Sequence, residues 1–239
     1  MIGGKTNPAA HTSKHFDAEL ETIRTQVLEM GGMVEYQVRY AVEALRSGDT
    51  ALVTRVIRDE ARVNQLEREI DEACTHVIAR RAPTANDLRF LMMVYKTLTD
   101  LERVGDEAKK IALVARSLGL AERASPGMPQ IQRVAALVID MLRRALDGLA
   151  RLEAEVVPDV VRLDDEVDEH FKGILRQLLT YMIEDPRTIS RSIDVIFVAK
   201  SLERIGDHAK NISEYVIYMT KGKDVRHGSI EEIEAAAKS

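Results

Sequence analysis

Two carboxylates stand four residues apart in each of two nearly matching stretches, Glu102 and Asp106 in LERVGDEAKKIA (101–112) and Glu203 and Asp207 in LERIGDHAKNIS (202–213). At about 100° per residue, a helix places both acids of a pair on one flank, a turn apart. Like charges so spaced cost a bare helix about 0.2–0.5 kcal/mol, so a repeated pair asks for compensation. A cation held by carboxylate oxygens supplies it, and such ligands suit hard or borderline divalent metals and iron. Basic neighbours supply it too, with Arg103, Lys109, Lys110, Arg204 and Lys210 close by in sequence. The residues alone leave the metal site and the salt-bridged face both open.

More carboxylates accompany these. LEREIDEA (66–73) matches LDDEVDEH (163–170) at an offset of 97, which aligns Glu67 with Asp164 and Asp71 with Asp168 near the core edge. Glu214 falls on the same flank as Glu203 and Asp207, whereas His208 points to the far side of that helix. Surface salt bridges compete with a ligand role for Asp71 and Asp168. No Glu-x-x-His occurs, which argues against a ferritin-like di-iron oxidase. No Gly-rich phosphate loop, nucleophile elbow or zinc-protease pattern is present, so no catalytic residue is assigned and a non-enzyme is expected.

The elements that position these groups are long helices. Ser13 is the expected start of the first, which runs to Arg46 before the turn at Ser47, Gly48 and Asp49; Asp49 caps a second to Arg81. Pro83 breaks the chain, and Thr84 with Asp87 reads as a capping pair for a third helix ending at Gly119. Ser125, Pro126, Gly127 and Pro129 form a linker, after which helices over 130–155, 159–184 and 187–221 repeat the plan. The acidic stretches recur at an offset of 101, so the hairpin preceding the second gains four residues on the 97-residue alignment. The expected fold is all-α: six long antiparallel helices in two tandem three-helix bundles, over 14–120 and 130–222, about a pseudo-twofold axis. The linker spans 121–129, with a disordered tail at 1–13 and a polar tail, with one short helix after Ser229, at 223–239. Gly105 and Gly206, mid-helix where each costs about 1 kcal/mol, point to close helix approach along a small-residue stripe, which either lets the third and sixth helices meet or serves simple core packing.

Composition agrees. The 239 residues are 45% apolar and 31% charged, with 4% aromatic and no Trp, a balance of helix formers rather than sheet formers. A net charge of −5 gives no basic field for nucleic acid, and direct nucleic-acid binding is not expected. Cys74 is the only cysteine, so neither an intramolecular disulfide nor a cysteine metal cage can form, and a reducing compartment is the simpler reading. No apolar run has the length of a spanning helix or a signal peptide, so any membrane contact is peripheral.

ERVGDEAKKIA and ERIGDHAKNISE resemble the paired Glu/Asp-x-x-x-Asp motifs of the PhoU family, and the likeness runs over about 14–221 through the six-helix plan, Ile70-Asp71-Glu72 and Val167-Asp168-Glu169. The resemblance implies metal ligands at Glu102, Asp106, Glu203 and Asp207, with Asp71, Asp168 and Glu214 as additions. Arg103, Gly105, Arg204, Gly206, His208 and Asn211 fit the motif. The metal would be iron, zinc, manganese or magnesium, and Lys110 in place of the Asn found at 211 sets the two sites apart. The family further implies a cytoplasmic homodimer that regulates phosphate uptake. It would contact the ATPase subunit of the phosphate ABC transporter and a sensor histidine kinase, restraining uptake and the phosphate-starvation response when phosphate is plentiful. The alternative is a metal-free helical scaffold whose acidic faces dock partner proteins.

Overall fold

The structure, a computed structural model, describes residues 8–118 and 127–238. Its helices are α1 (Pro8–Ser47), α2 (Thr50–Arg81), α3 (Ala85–Ser117), α4 (Met128–Arg151), α5 (Val157–Glu184), α6 (Ile189–Lys221) and α7 (Ile230–Lys238). Among the described residues there are no strands. Single 3₁₀ turns at Ala154–Val156 and Pro186–Thr188 lead into α5 and α6. α1 starts at Pro8, not Ser13, so 8–13 of the expected disordered tail belong to the first helix; residues 1–7 of that tail and 121–126 of the expected linker lie outside the described residues.

Local chemistry accounts for the breaks. Gly48 takes φ 75° to end α1, and Asp49 caps α2 by accepting from Ala51 N at 2.8 Å. Leu152, with φ 55°, stops α4 four residues before the expected end, because 154–156 belong to the next turn. Gly222 closes α6 in the left-handed region, its N–H bonded to Tyr218 O at 3.0 Å. Thr84 is extended but makes no side-chain cap, so the expected pairing with Asp87 reduces to a backbone bond from Asp87 N to Thr84 O.

α1–α3 form one antiparallel bundle and α4–α6 the other, and α3 packs along α6 while α1 touches α4. The buried side chains of both bundles merge into one continuous core that includes Met30, Leu66, Ile70, Leu101, Ile111, Met141, Leu202 and Ile212. The two halves therefore share an interior instead of meeting as separate domains.

Two sequence expectations change. The stretch read as a polar tail is docked: Ile233, Ala236 and Ala237 of α7 bury against Ala154, Val157, Val161, Ile217 and Val225. Ser229 and Glu232 form a reciprocal capping box that starts α7, through bonds of 2.9 and 3.3 Å. The mid-helix glycines do not face one another either. Each faces into its own bundle, Gly105 toward Gln37, Glu60 and Val63 and Gly206 toward Met141, Asp164 and Val167.

Candidate metal-binding faces and the polar seam

The glycine contacts fix the register of the repeat. Val63 to Gly105 spans 42 residues and Val167 to Gly206 spans 39, so the second hairpin is three residues shorter, not four longer. In the first two helices of each bundle the equivalence is thus 104, which pairs Glu60 with Asp164, Asn64 with Asp168 and Gln37 with Met141. Burial agrees, since Val53, Val56, Glu60, Val63, Ile70 and Cys74 fall on Val157, Val160, Asp164, Val167, Ile174 and Leu178. The 97-residue alignment differs from this by seven, two helical turns. A seven-residue slip leaves the same face inward, which is how the sequence match misled.

Asp71 and Asp168 are therefore not equivalent. Asp71 lies against Tyr95 and Cys74, and its carboxylate helps hold both groups above their usual range. It sits eleven residues from Glu60, about 16 Å along the helix. Asp168 instead stands with Asp164 beside Asp207.

Each α2–α3 or α5–α6 groove consequently carries an acidic ladder. In the first half, burial, Asp106 and Glu67 raise the Glu102 carboxyl. Glu60, 3% exposed, is also raised by burial and by Asp106, and it accepts from Asn64 Nδ2 at 3.2 Å. In the second, Asp207 is solvent-exposed on its outer side yet is pushed up to about 6 by partial desolvation and by Glu203, Asp164 and Asp168. Lysines offset part of this charge: Lys200 Nζ reaches both Glu203 oxygens at 2.6 Å, and Lys210 Nζ lies 2.8 Å from Asp164 Oδ2. Among the described residues, no three His, Cys, Asp or Glu side chains converge into a ready metal cage.

The remaining motif residues serve the seam between halves. Buried Asp100 of α3 accepts from His208 Nδ1 (2.7 Å), Asn211 Nδ2 (3.1 Å) and the Tyr215 hydroxyl (2.8 Å) of α6. The pseudo-symmetric contact runs the other way, where Glu107 of α3 accepts from Ser201 Oγ at 2.9 Å and pairs with Arg204 at 2.7 Å and Lys110 at 2.9 Å. Across the seam Asp100 meets three partners and Glu107 two, which makes the α3–α6 contact specific as well as apolar. His208 and Asn211 are thus held at this seam, away from the Glu203–Asp207 flank. Arg103 is exposed. Glu214 is 4% exposed and pushed up to about 7, chiefly by burial. It lines a polar cleft of about 650 Å³ with Asp207, Lys210 and Arg226, beneath the segment that leads into α7.

Gln37, Glu60, Asn64 and Asp100 escaped the sequence reading. Only the correct repeat register would have flagged Glu60 and Asn64, because they align with Asp164 and Asp168. Gln37 and Asp100 lie in helix interiors with no local signal that distinguishes them from surface polar residues.

Fold and site together define a tandem-repeat helical-bundle protein with matched acidic grooves. A PhoU domain model matches residues 27–115 and again 131–216, and the chain belongs to that family. It is 46% identical over 225 residues to the phosphate-specific transport system accessory protein PhoU homolog of Pseudomonas putida, covering 94% of this chain and 88% of the relative. The accessory protein PhoU of Escherichia coli K12 is 44% identical over 224 residues, covering 94% and 92%. The crystal structure of PhoU from Pseudomonas aeruginosa superposes with a TM-score of 0.83 at 45% identity, covering 87% of this chain and all of that one. No described helix is long and apolar enough to cross a membrane.

Proposed function

We propose that this chain is an accessory regulator of phosphate-specific transport that binds metal through its two acidic grooves and works by contact with partners, not by catalysis. Glu102 and Asp106 with Glu67 would hold metal in the first half, and Glu203 and Asp207 with Asp168 in the second. The observation carrying the metal reading is the bunching of like charge on equivalent grooves, with Asp207 held at about 6 and Glu102 raised first by partial burial and then by neighbouring carboxylates. A bound cation removes that repulsion, and the all-oxygen donor set fits iron, manganese, magnesium or zinc. What the metal would supply is charge neutralisation that fixes the grooves in one geometry. The accessory role rests on the family and on relatives whose names carry it. In this reading it would act at the cytoplasmic face, as a homodimer in contact with the transporter ATPase subunit and a sensor kinase, restraining both when phosphate is plentiful.

A metal-free docking scaffold is the second reading, favoured by the lysines that already neutralise Glu203 and Asp164. Elemental mass spectrometry of untagged protein separates the two. Near-stoichiometric metal that is lost in the Asp106→Ala, Asp207→Ala double variant, together with weakened capture of the ATPase subunit, supports metal regulation. Metal-free protein with unchanged capture leaves the scaffold.

A further inference from the structure

We propose that the first half holds one hard divalent cation in an oxygen cluster of Gln37, Glu60, Asn64 and Asp106 at Gly105, and that the second half has replaced this ion with the ammonium of Lys210. The proposal deepens the metal reading above, shares only Asp106 with it, and places an ion in the bundle interior instead of the outer groove.

Three oxygens in this cluster lack donors. Gln37 is fully buried, and its Nε2 donates to Val56 O at 3.3 Å, which leaves Oε1 buried and unpartnered. Asn64 spends its Nδ2 on Glu60 Oε1, so that Asn64 Oδ1 and Glu60 Oε2 are likewise buried without a donor. Native interiors pair nearly all such atoms, so the two that stand together at the Gly105 position, Gln37 Oε1 and Glu60 Oε2, mark a missing positive partner. Gly105 opens the space: a methyl there would stand 3.2 Å from both Gln37 Oε1 and Glu60 Oε2. The Glu60 and Asp106 carboxylates balance a doubly charged ion, and amide with carboxylate oxygens suit Mn²⁺, Mg²⁺ or Ca²⁺ better than softer metals.

The chain contains its own control. At the corresponding place in the second half Met141 replaces Gln37, and its Cε lies 3.5 Å from where a Gly206 methyl would be. Asp164 replaces Glu60 and is met by Lys210 Nζ at 2.8 Å. Lys109, the counterpart of Lys210, is near enough to act on Glu60 through space but, among the described residues, forms no ion pair with it within 4 Å. One half therefore fills the position with a methyl and an ammonium, and the other leaves Gln37 Oε1 and Glu60 Oε2 there without donors.

The test titrates chelator-treated full-length protein with Mn²⁺ and counts free ion by electron paramagnetic resonance. Wild type is expected to take up one equivalent, apart from any held in the outer grooves, that Gln37→Met, which copies the second half, weakens at least about tenfold. Gly105→Ala, which fills the cradle, should do the same, with circular dichroism and metal-free melting temperature reporting that both variants fold. Asp207→Ala should retain this equivalent. Uptake unaffected by Gln37→Met and Gly105→Ala in folded protein, but lost on Glu102→Ala, would overturn the interior ion and leave the outer-groove reading standing. No Mn²⁺ uptake by wild type would overturn it as well, leaving a proton on Glu60 as the occupant.

Discussion

Glu214→Gln should make the chain more stable above neutral pH and should flatten its pH dependence. The folded protein holds the Glu214 carboxyl at about 7 against an ordinary value of 4.5, with burial as the main cause. The charged groups facing it are Lys210, which lowers it, Asp164 and Asp224, which raise it, and Arg226 from the segment before α7, which lowers it. Because the folded state binds this proton more tightly than the unfolded chain, stability from Glu214 is full below about pH 4.5. It is lost as pH rises through about 7. A shift of about 2.5 units at 1.36 kcal/mol per unit makes the loss about 3 kcal/mol at most. Gln keeps the shape and carries no proton, so the variant should gain on wild type by about 2–3 kcal/mol between about pH 4.5 and 8. Urea unfolding followed by circular dichroism across that range reads the difference directly. A constant offset between the two pH profiles would refute the reasoning, because a constant change in packing or hydrogen bonding carries no proton linkage.

Asp100→Ala strands His208, Asn211 and Tyr215 at the seam and should cost about 3–5 kcal/mol in urea unfolding, whereas Asp100→Asn, which retains an acceptor, should cost less. Ile233→Ala should cost about 2–5 kcal/mol, and hydrogen exchange should rise in α7 and the segment before it while α3 stays protected. Cys74, fully buried and pushed up to about 12 by desolvation and Asp71, should resist alkylation in the folded protein and react promptly once it is unfolded.

Much of the architecture was legible because it rests on short-range signals. The Ser-Gly-Asp turn at 47–49, the prolines at 83 and 186 and Gly222 are each backbone requirements visible in a few residues, and each ends or begins a helix where expected. The docking of α7 was not legible. Its apolar side is only Ile233, Ala236 and Ala237, too short a stripe to stand out from a charged tail until Val157, Val161 and Ile217 supply the other wall. The seam was hidden for a related reason, since Asp100 gains its meaning only from three residues more than a hundred positions away.

The acidic grooves show where sequence reasoning stops in a repeat protein. Within one helix, the spacing of Glu102 and Asp106 or of Glu203 and Asp207 fixes their common flank, and the structure keeps both pairs together on their grooves. Between helices, the partner residues depend on register, and a seven-residue slip is nearly silent in the apolar pattern because it returns the helix to the same face. Pairing Asp71 with Asp168 satisfied the pattern and still misplaced Asp71 by seven residues, about 10 Å along the helix. Gly105 and Gly206 break that degeneracy, since a missing side chain admits only the residues that sit directly opposite it, and those are Glu60 and Asp164. The same two glycines also expose how far the halves have diverged. One looks onto buried oxygens without donors, while the other looks onto a methionine methyl and a carboxylate already paired with lysine. Two grooves of common origin thus differ in their interior chemistry.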